Sequence, residues 1–170
     1  MRAGRPAEAG LPGAMHTETA IRIRGSLDAV FAYAARVEDW PRWLPHYRSV
    51  RVIASDGPDR IVEMRARRSG IPVRWRARQR ILTEQRRIRY THLRGVTQGM
   101  EVEWRLVQEA GGLVLVTIVH DLDLRWPLIG RPVARWIIGP LFVEAIAGQT
   151  LSRIKALAER APGAGGGGEP

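Results

Sequence analysis

PLFVEAIAGQTLSRIKALAER, residues 140–160, decides how the rest of the chain is read. Val143, Ile146, Ala147, Thr150, Ile154, Leu157 and Ala158 recur at helical spacing and form one apolar stripe, with Glu144, Gly148, Ser152, Lys155 and Glu159 opposite. The spacing predicts one long amphipathic helix from Pro140 to about Arg160. Such a stripe must be covered, and what precedes it offers strands to cover it.

Upstream of the helix the period is two. Six candidate strands run at about 47–55, 60–68, 73–84, 86–93, 99–108 and 113–124, separated by short Gly, Pro and Asp-containing turns such as Asp56-Gly57-Pro58 and Ala110-Gly111-Gly112. Connections that short force neighbours to pair antiparallel, as a meander. Val73, Trp75, Ala77, Gln79 and Ile81 face one way while Arg74, Arg76, Arg78 and Arg80 face the other, so this strand has a dry and a wet side. Ile88, Tyr90 and His92 should face inward in the next strand, then Met100, Val102, Trp104 and Leu106. Glu101 and Glu103 are expected to lie across from Arg89 and Arg87 as charge pairs. The last run, Leu113 to Leu124, is apolar on both faces; pattern leaves its register open, and with it the facing of His120.

Ahead of the meander, Thr17 to Gly25 alternates as a first strand carrying Ile21 and Ile23. Ser26 offers an N-cap for a helix with Leu27, Val30, Phe31 and Ala34 on one side. A very short second helix follows, with Asp39 as cap, Pro41 in its first turn, Trp40, Trp43 and Leu44 as apolar bulk and Pro45 as its stop. Residues 1–14 read as a disordered tail, Met15 is a candidate start, Arg131 to Ile138 reads as a helical lead-in, and the Gly-rich residues 161–170 read as a flexible tail. One domain, residues 15–160, is expected.

The net charge is +10 and the pI about 11.4, yet Lys155 is the only lysine among 27 basic residues. Twelve arginines lie between Arg60 and Arg94 against two acids, Glu63 and Glu84, a difference of ten that equals the whole formal excess. There is no cysteine, which removes disulfides, thiolate nucleophiles and cysteine zinc sites together and fits a reducing cytoplasm. No run has the length of a membrane span, so a soluble, cytoplasmic protein is expected, peripheral to a membrane if the arginines meet lipid. Nucleophile-elbow serines, phosphate loops and dinucleotide glycine patterns are missing. His16, His46, His92 and His120 are scattered without ligand spacing, so neither metal nor cofactor is implied.

The order of strand, two short helices, six-strand meander and long helix resembles the α+β helix-grip fold of the START-like (SRPBCC) superfamily. VFAYAARVEDWPRWLPHYRSVRVI, VRWRARQRI, GMEVEWRL, VTIVHDLDLRWP and IAGQTLSRIKALAE, in that order, resemble its polyketide cyclase/dehydrase and coenzyme-Q-binding branch over about residues 16–160. The resemblance implies a curved antiparallel sheet of about seven strands gripping the C-terminal helix, with a hydrophobic small molecule between them. Trp40 and Tyr47 match aromatic positions at the family's cavity mouth, and Trp75 and Trp104 its inward tryptophans. Where the cyclase pattern carries an inward arginine, this chain has Gln79.

On this reading the cavity wall holds Val73, Trp75, Met100, Val102 and Trp104 as apolar surface and Gln79, Tyr90, His92, Thr150 and His120 as polar groups. Tyr90, His92 and His120 are the candidate proton handlers of an aldol cyclisation and dehydration, Gln79 and Tyr47 the carbonyl donors, and Trp75 and Trp104 stacking platforms. The alternative is a non-enzymatic carrier of an isoprenoid quinone or other lipid. The outer arginine face suits an acyl carrier protein or an anionic membrane surface; the scarcity of exposed aromatics between the arginines argues against nucleic acid.

Overall fold

The computed structural model describes residues 14–68, 70–95, 97–123 and 140–160. Expectations for residues 1–13, for residues 161–170 and for the lead-in at 131–138 fall outside the described residues. Strand β1 (Ala14–Arg24) is followed by helix α1 (Leu27–Ala35), a 3-10 turn (Val37–Asp39) and helix α2 (Trp40–Trp43). Then come β2 (Tyr47–Asp56), β3 (Asp59–Arg68), β4 (Ile71–Leu82), β5 (Arg87–Gly95), β6 (Glu101–Glu109), β7 (Leu113–Asp123) and the long helix α3 (Pro140–Ala158).

Seven strands form one sheet in the order β1-β7-β6-β5-β4-β3-β2, each neighbour antiparallel. The meander runs as expected from β2 to β7, and β1 adds itself beside β7. With α3 laid against β1 and reaching β7 and α1, this is the helix-grip α+β fold. Inward residues of every strand join Val30 and Ala34 of α1 and Leu151 and Ile154 of α3 in one core. Full burial of each such aliphatic side chain contributes roughly 1.5–3 kcal/mol.

Local chemistry explains most boundaries. Ser26 Oγ accepts from the Ala29 N–H at 3.2 Å and starts α1. Asp39 departs from expectation: its side chain caps nothing, because the preceding 3-10 turn delivers the chain directly into α2. Within α3 the buried line is Ala147, Thr150, Leu151, Ile154 and Ala158, with Leu157 half-buried, so the stripe sits slightly rotated toward Leu151. Lys155 Nζ donates to the Arg22 carbonyl at 2.7 Å, and Glu159 Oε1 accepts from the Arg24 N–H at 3.0 Å, tying the helix end to β1.

Register resolves two open points. In β7, Val114, Val116, Ile118, His120 and Leu122 are buried, and the partners Val102↔His120 and Thr17↔His120 place His120 on the inner side. Between β5 and β6, Arg89 faces Glu103 and Thr91 faces Glu101, so both expected pairings, Glu101 with Arg89 and Glu103 with Arg87, are displaced by two residues. Glu103 therefore bonds Arg89 at 2.7 Å, Arg105 at 2.5 Å and Arg87 at 3.5 Å, while Glu101 accepts from Thr91 Oγ1.

Candidate functional site

Between the inner face of the sheet, α2 and α3 lies a mostly apolar cavity of about 90 Å³, counted as room for the centres of water molecules. At roughly 10–15 Å³ per water measured in that way, it holds several waters or a small ring system without rearrangement. Trp40, Tyr47, Val73, Trp75, Tyr90, His92, Met100, Val102, Trp104, His120 and Thr150 all line it. Eleven of the twelve residues singled out from sequence are thus brought together. Gln79 is the exception.

Aromatic rings make a continuous wall: Trp104 to Trp40 at 5.8 Å, Trp40 to Tyr47 at 5.0 Å, Tyr47 to Trp75 at 6.1 Å, and Trp75 stacked on His92 at 6.0 Å and 17°. Edge and offset contacts of this kind add to the area they bury. Trp40 is fixed by its indole N–H donating to the Tyr33 carbonyl at 3.0 Å.

His92 owes its position to an irregularity. Trp75 pairs with Gly95 and Arg76 with Arg94, but Ala77 pairs with His92, so Leu93 is an extra residue that bends β5. The following turn closes with Gly99 N–H donating to His92 O and Met100 N–H to Thr97 O. It brings Thr97 Oγ1 to 2.6 Å from His92 Nδ1, leaving Nε2 as the ring nitrogen free of that bond. Thr97 also lines the hollow and was not foreseen, because in sequence it belongs to a turn. Met64, Ile118, Ile146 and Ala147 complete the lining.

Burial keeps the polar groups neutral. It lowers His92 to about 3, helped by His120 nearby, and lowers His120 to about 4, against the pull of Asp121. His46 falls to about 4, by burial first and Arg153 second, and its Nε2 lies 3.1 Å from Thr150 Oγ1. Thr150 thus bonds across to another element rather than back along its own helix. Burial pushes the Tyr47 and Tyr90 hydroxyls well above the ordinary phenol range, partly offset by hydrogen bonds from Thr150 and Gln79 respectively. The Nδ1 atoms of His46 and His120 and the Thr17 hydroxyl are buried with no protein partner among the described residues.

Gln79 lies behind Tyr90, fully buried. Its Nε2 is 2.9 Å from Tyr90 Oη and 3.2 Å from the Ala35 carbonyl, and its Oε1 accepts from Arg60 Nε at 3.0 Å. Arg60 also donates to Ala35 O at 2.9 Å and to Glu38 at 3.1 Å. The expectation that the arginines of this stretch all turn outward is therefore corrected for Arg60. It shares the inward side of β3 with Val62 and Met64, and β4 places Gln79 directly opposite it.

On the outer face, Glu63 is buried beneath four guanidiniums: Arg74 at 2.6 Å, Arg76 at 3.0 Å, Arg51 at 3.1 Å and Arg65 at 3.7 Å. Hydrogen bonds from Arg74, Arg76 and Arg51 hold its carboxyl at about 2. Among the described residues no three His, Cys, Asp or Glu side chains gather as metal ligands, and no helix is long and apolar enough to cross a membrane.

Against known structures, the chain is similar to the Zhui aromatase/cyclase from Streptomyces sp. R1128, at 20% identity and a TM-score of 0.80 over 91% of this chain and 99% of that one. The di-domain ARO/CYC StfQ from the steffimycin biosynthetic pathway matches at 17% identity and TM-score 0.72, over 86% of this chain and 51% of that one. A START superfamily protein from Mycobacterium smegmatis matches at 17% identity and TM-score 0.62, over 85% and 95%. Similarity at these identities establishes the fold. No curated protein matches. Residues 23–140 match the family described as polyketide cyclase / dehydrase and lipid transport, and the chain belongs to that family.

Proposed function

We propose that this protein encloses a flat, neutral, oxygenated hydrophobic molecule and acts on it as a polyketide cyclase/aromatase-like enzyme. The observation that carries the reading is the hollow itself: an aromatic and aliphatic wall into which Tyr90, His92 and His120 bring uncharged polar groups.

In the proposed reaction a methylene between two carbonyls gives its proton to His92 Nε2, which requires the tautomer whose Nδ1–H donates to Thr97. The carbanion attacks a distant ketone carbon; the new C–C bond closes the ring, and the alkoxide it leaves takes back the proton held on the His92 imidazolium. Loss of a second α-proton together with that hydroxyl, as water, then leaves a C=C double bond in the ring. An imidazole near 3 is by itself a weak base, and an enolate forming beside it stabilises the imidazolium. His120 lies near enough to lower His92 and is the second proton handler, Tyr47 donates to a carbonyl, and Trp75 and Trp104 hold the rings. Gln79, its amide committed to Ala35, Arg60 and Tyr90, acts on the ligand only indirectly.

Reconstitution with a linear poly-β-ketone tests this. Replacing Tyr90 and His92 together by Phe is expected to abolish cyclised product while ligand affinity falls only by the hydrogen bond that Tyr90 supplies; full turnover removes the catalytic claim.

One observation favours a second reading. Among the described residues no charged side chain lines the cavity, as suits a non-enzymatic carrier of a quinone or other lipid. That reading expects prenyl quinone to be recovered from protein purified from its native host. The outer arginines would then meet an anionic membrane from the cytoplasmic side; under the first reading they would meet an acidic acyl carrier protein.

A further inference from the structure

The hydrogen bonds around Gln79 have only one consistent direction. A guanidinium donates and never accepts, so the atom of Gln79 facing Arg60 Nε must be its carbonyl oxygen. The Ala35 carbonyl accepts and never donates, so the atom facing it must be the amide nitrogen. Two independent neighbours therefore exclude the flipped amide, and the same nitrogen donates to Tyr90 Oη. Tyr90 has to accept this bond. Its own O–H finds no acceptor among the described residues, although the side chain is 4% exposed and lines the cavity.

An unplaced hydroxyl proton at a buried position is costly unless something in the cavity receives it. We propose that Tyr90 is the group that reads the ligand's carbonyl oxygen, and that Arg60, without entering the cavity, fixes Tyr90 as a donor through Gln79. This inference rests on the reading of the hollow as a ligand site. It narrows the ligand to neutral molecules presenting a hydrogen-bond acceptor, such as a ketone or quinone oxygen, at the Tyr90 end. Gln79 and Arg60 are positioning residues: the guanidinium polarises the amide, and the amide withdraws electron density from the phenol oxygen, which strengthens the phenol as a donor.

The test uses an isosteric side chain that reverses the bond with Tyr90 and gives up the amide's bond to Ala35 O. In Gln79→Glu the carboxylate still receives Arg60 and can only accept, so Tyr90 must turn its proton toward it; Ala35 O keeps its bond from Arg60. Difference Raman of ligand-free protein against Tyr90→Phe reads the hydrogen-bonding state of this tyrosine from its ring doublet. An acceptor signature is expected in the natural protein and a donor signature in Gln79→Glu. A donor signature in the natural protein overturns the proposal.

Fluorenone, a flat neutral aryl ketone, is the probe for the bound state. Its carbonyl stretch is expected to shift down on binding, with the shift lost in both Tyr90→Phe and Gln79→Glu; a shift retained in Gln79→Glu also overturns the proposal. If the acceptor signature is found but neither fluorenone nor any quinone binds, the ligand-site reading fails and takes the carbonyl role with it, while the bond direction stands.

Discussion

Gly95 lies directly against Trp75. A Cβ built on Gly95 would stand 2.9 Å from the Trp75 Cα and 2.5 Å from the neighbouring Arg74 carbonyl oxygen, and the glycine has φ +109°. Only a residue without a side chain fits there. Gly95→Ala is expected to push β4 away from β5, cost on the order of 1–3 kcal/mol, and weaken fluorenone binding by moving Trp75. Urea unfolding and a binding titration check both; an unchanged protein would mean that the bulge does not position the wall.

The three buried histidines set an acid limit. Their folded values, about 3 for His92 and about 4 for His46 and His120, lie below the ordinary 6.5, so the unfolded chain binds more protons between those values. Stability from these groups is complete above about pH 6.5 and is lost as pH falls toward 4, by up to roughly 1.4 kcal/mol per pH unit for each histidine. Unfolding free energy measured from pH 8 to 4 should be level at first and then fall. His120→Gln should reduce the slope; an identical slope would mean that His120 is not buried neutral.

Thr150 bonds His46 Nε2, and the other ring nitrogen already lacks a partner. Thr150→Val keeps the shape and leaves the imidazole with neither bond. A loss of about 1–3 kcal/mol is expected, much of it recovered when His46→Leu is added. Additive losses in the double-mutant cycle would contradict the pairing.

Glu63 compensates the four guanidiniums that surround it on the outer face. Glu63→Gln should lower the thermal midpoint in low salt, and added salt should recover much of the loss by screening the arginines. A midpoint shift independent of salt would point instead to lost packing.

Ala147 faces the hollow from α3. Ala147→Leu should fill part of the 90 Å³, hold or raise stability, and abolish fluorenone binding. If the probe still binds with unchanged affinity, it binds elsewhere.

Most of the architecture was legible because a half-buried strand writes its burial at period two. The alternation from Val73 to Ile81 placed Trp75, Ala77 and Gln79 inward without ambiguity. It failed at β7, where Leu115 and Val119 are apolar on the side opposite Ile118 and His120, and only the partners β1 and β6 fix the register. Thr97 could not be foreseen because its place depends on the extra residue in β5, and a bulge leaves no periodic trace. Arg60 was misread because its neighbours are outward arginines, though its parity with Val62 and Met64 was available. Gln79 was correctly inward, but its direction of use depended on Arg60 and Ala35, residues of other elements.

The open sheet has two rims with unpaired backbone groups, and each is blunted differently. On β1 the ammonium of Lys155 and the carboxylate of Glu159 occupy the Arg22 carbonyl and Arg24 amide that a foreign strand would seize, while β2 breaks its own regularity at two register shifts. The long helix thus doubles as a guard against edge-to-edge aggregation, and removing both charges at its end would leave a well-folded chain with a sticky border.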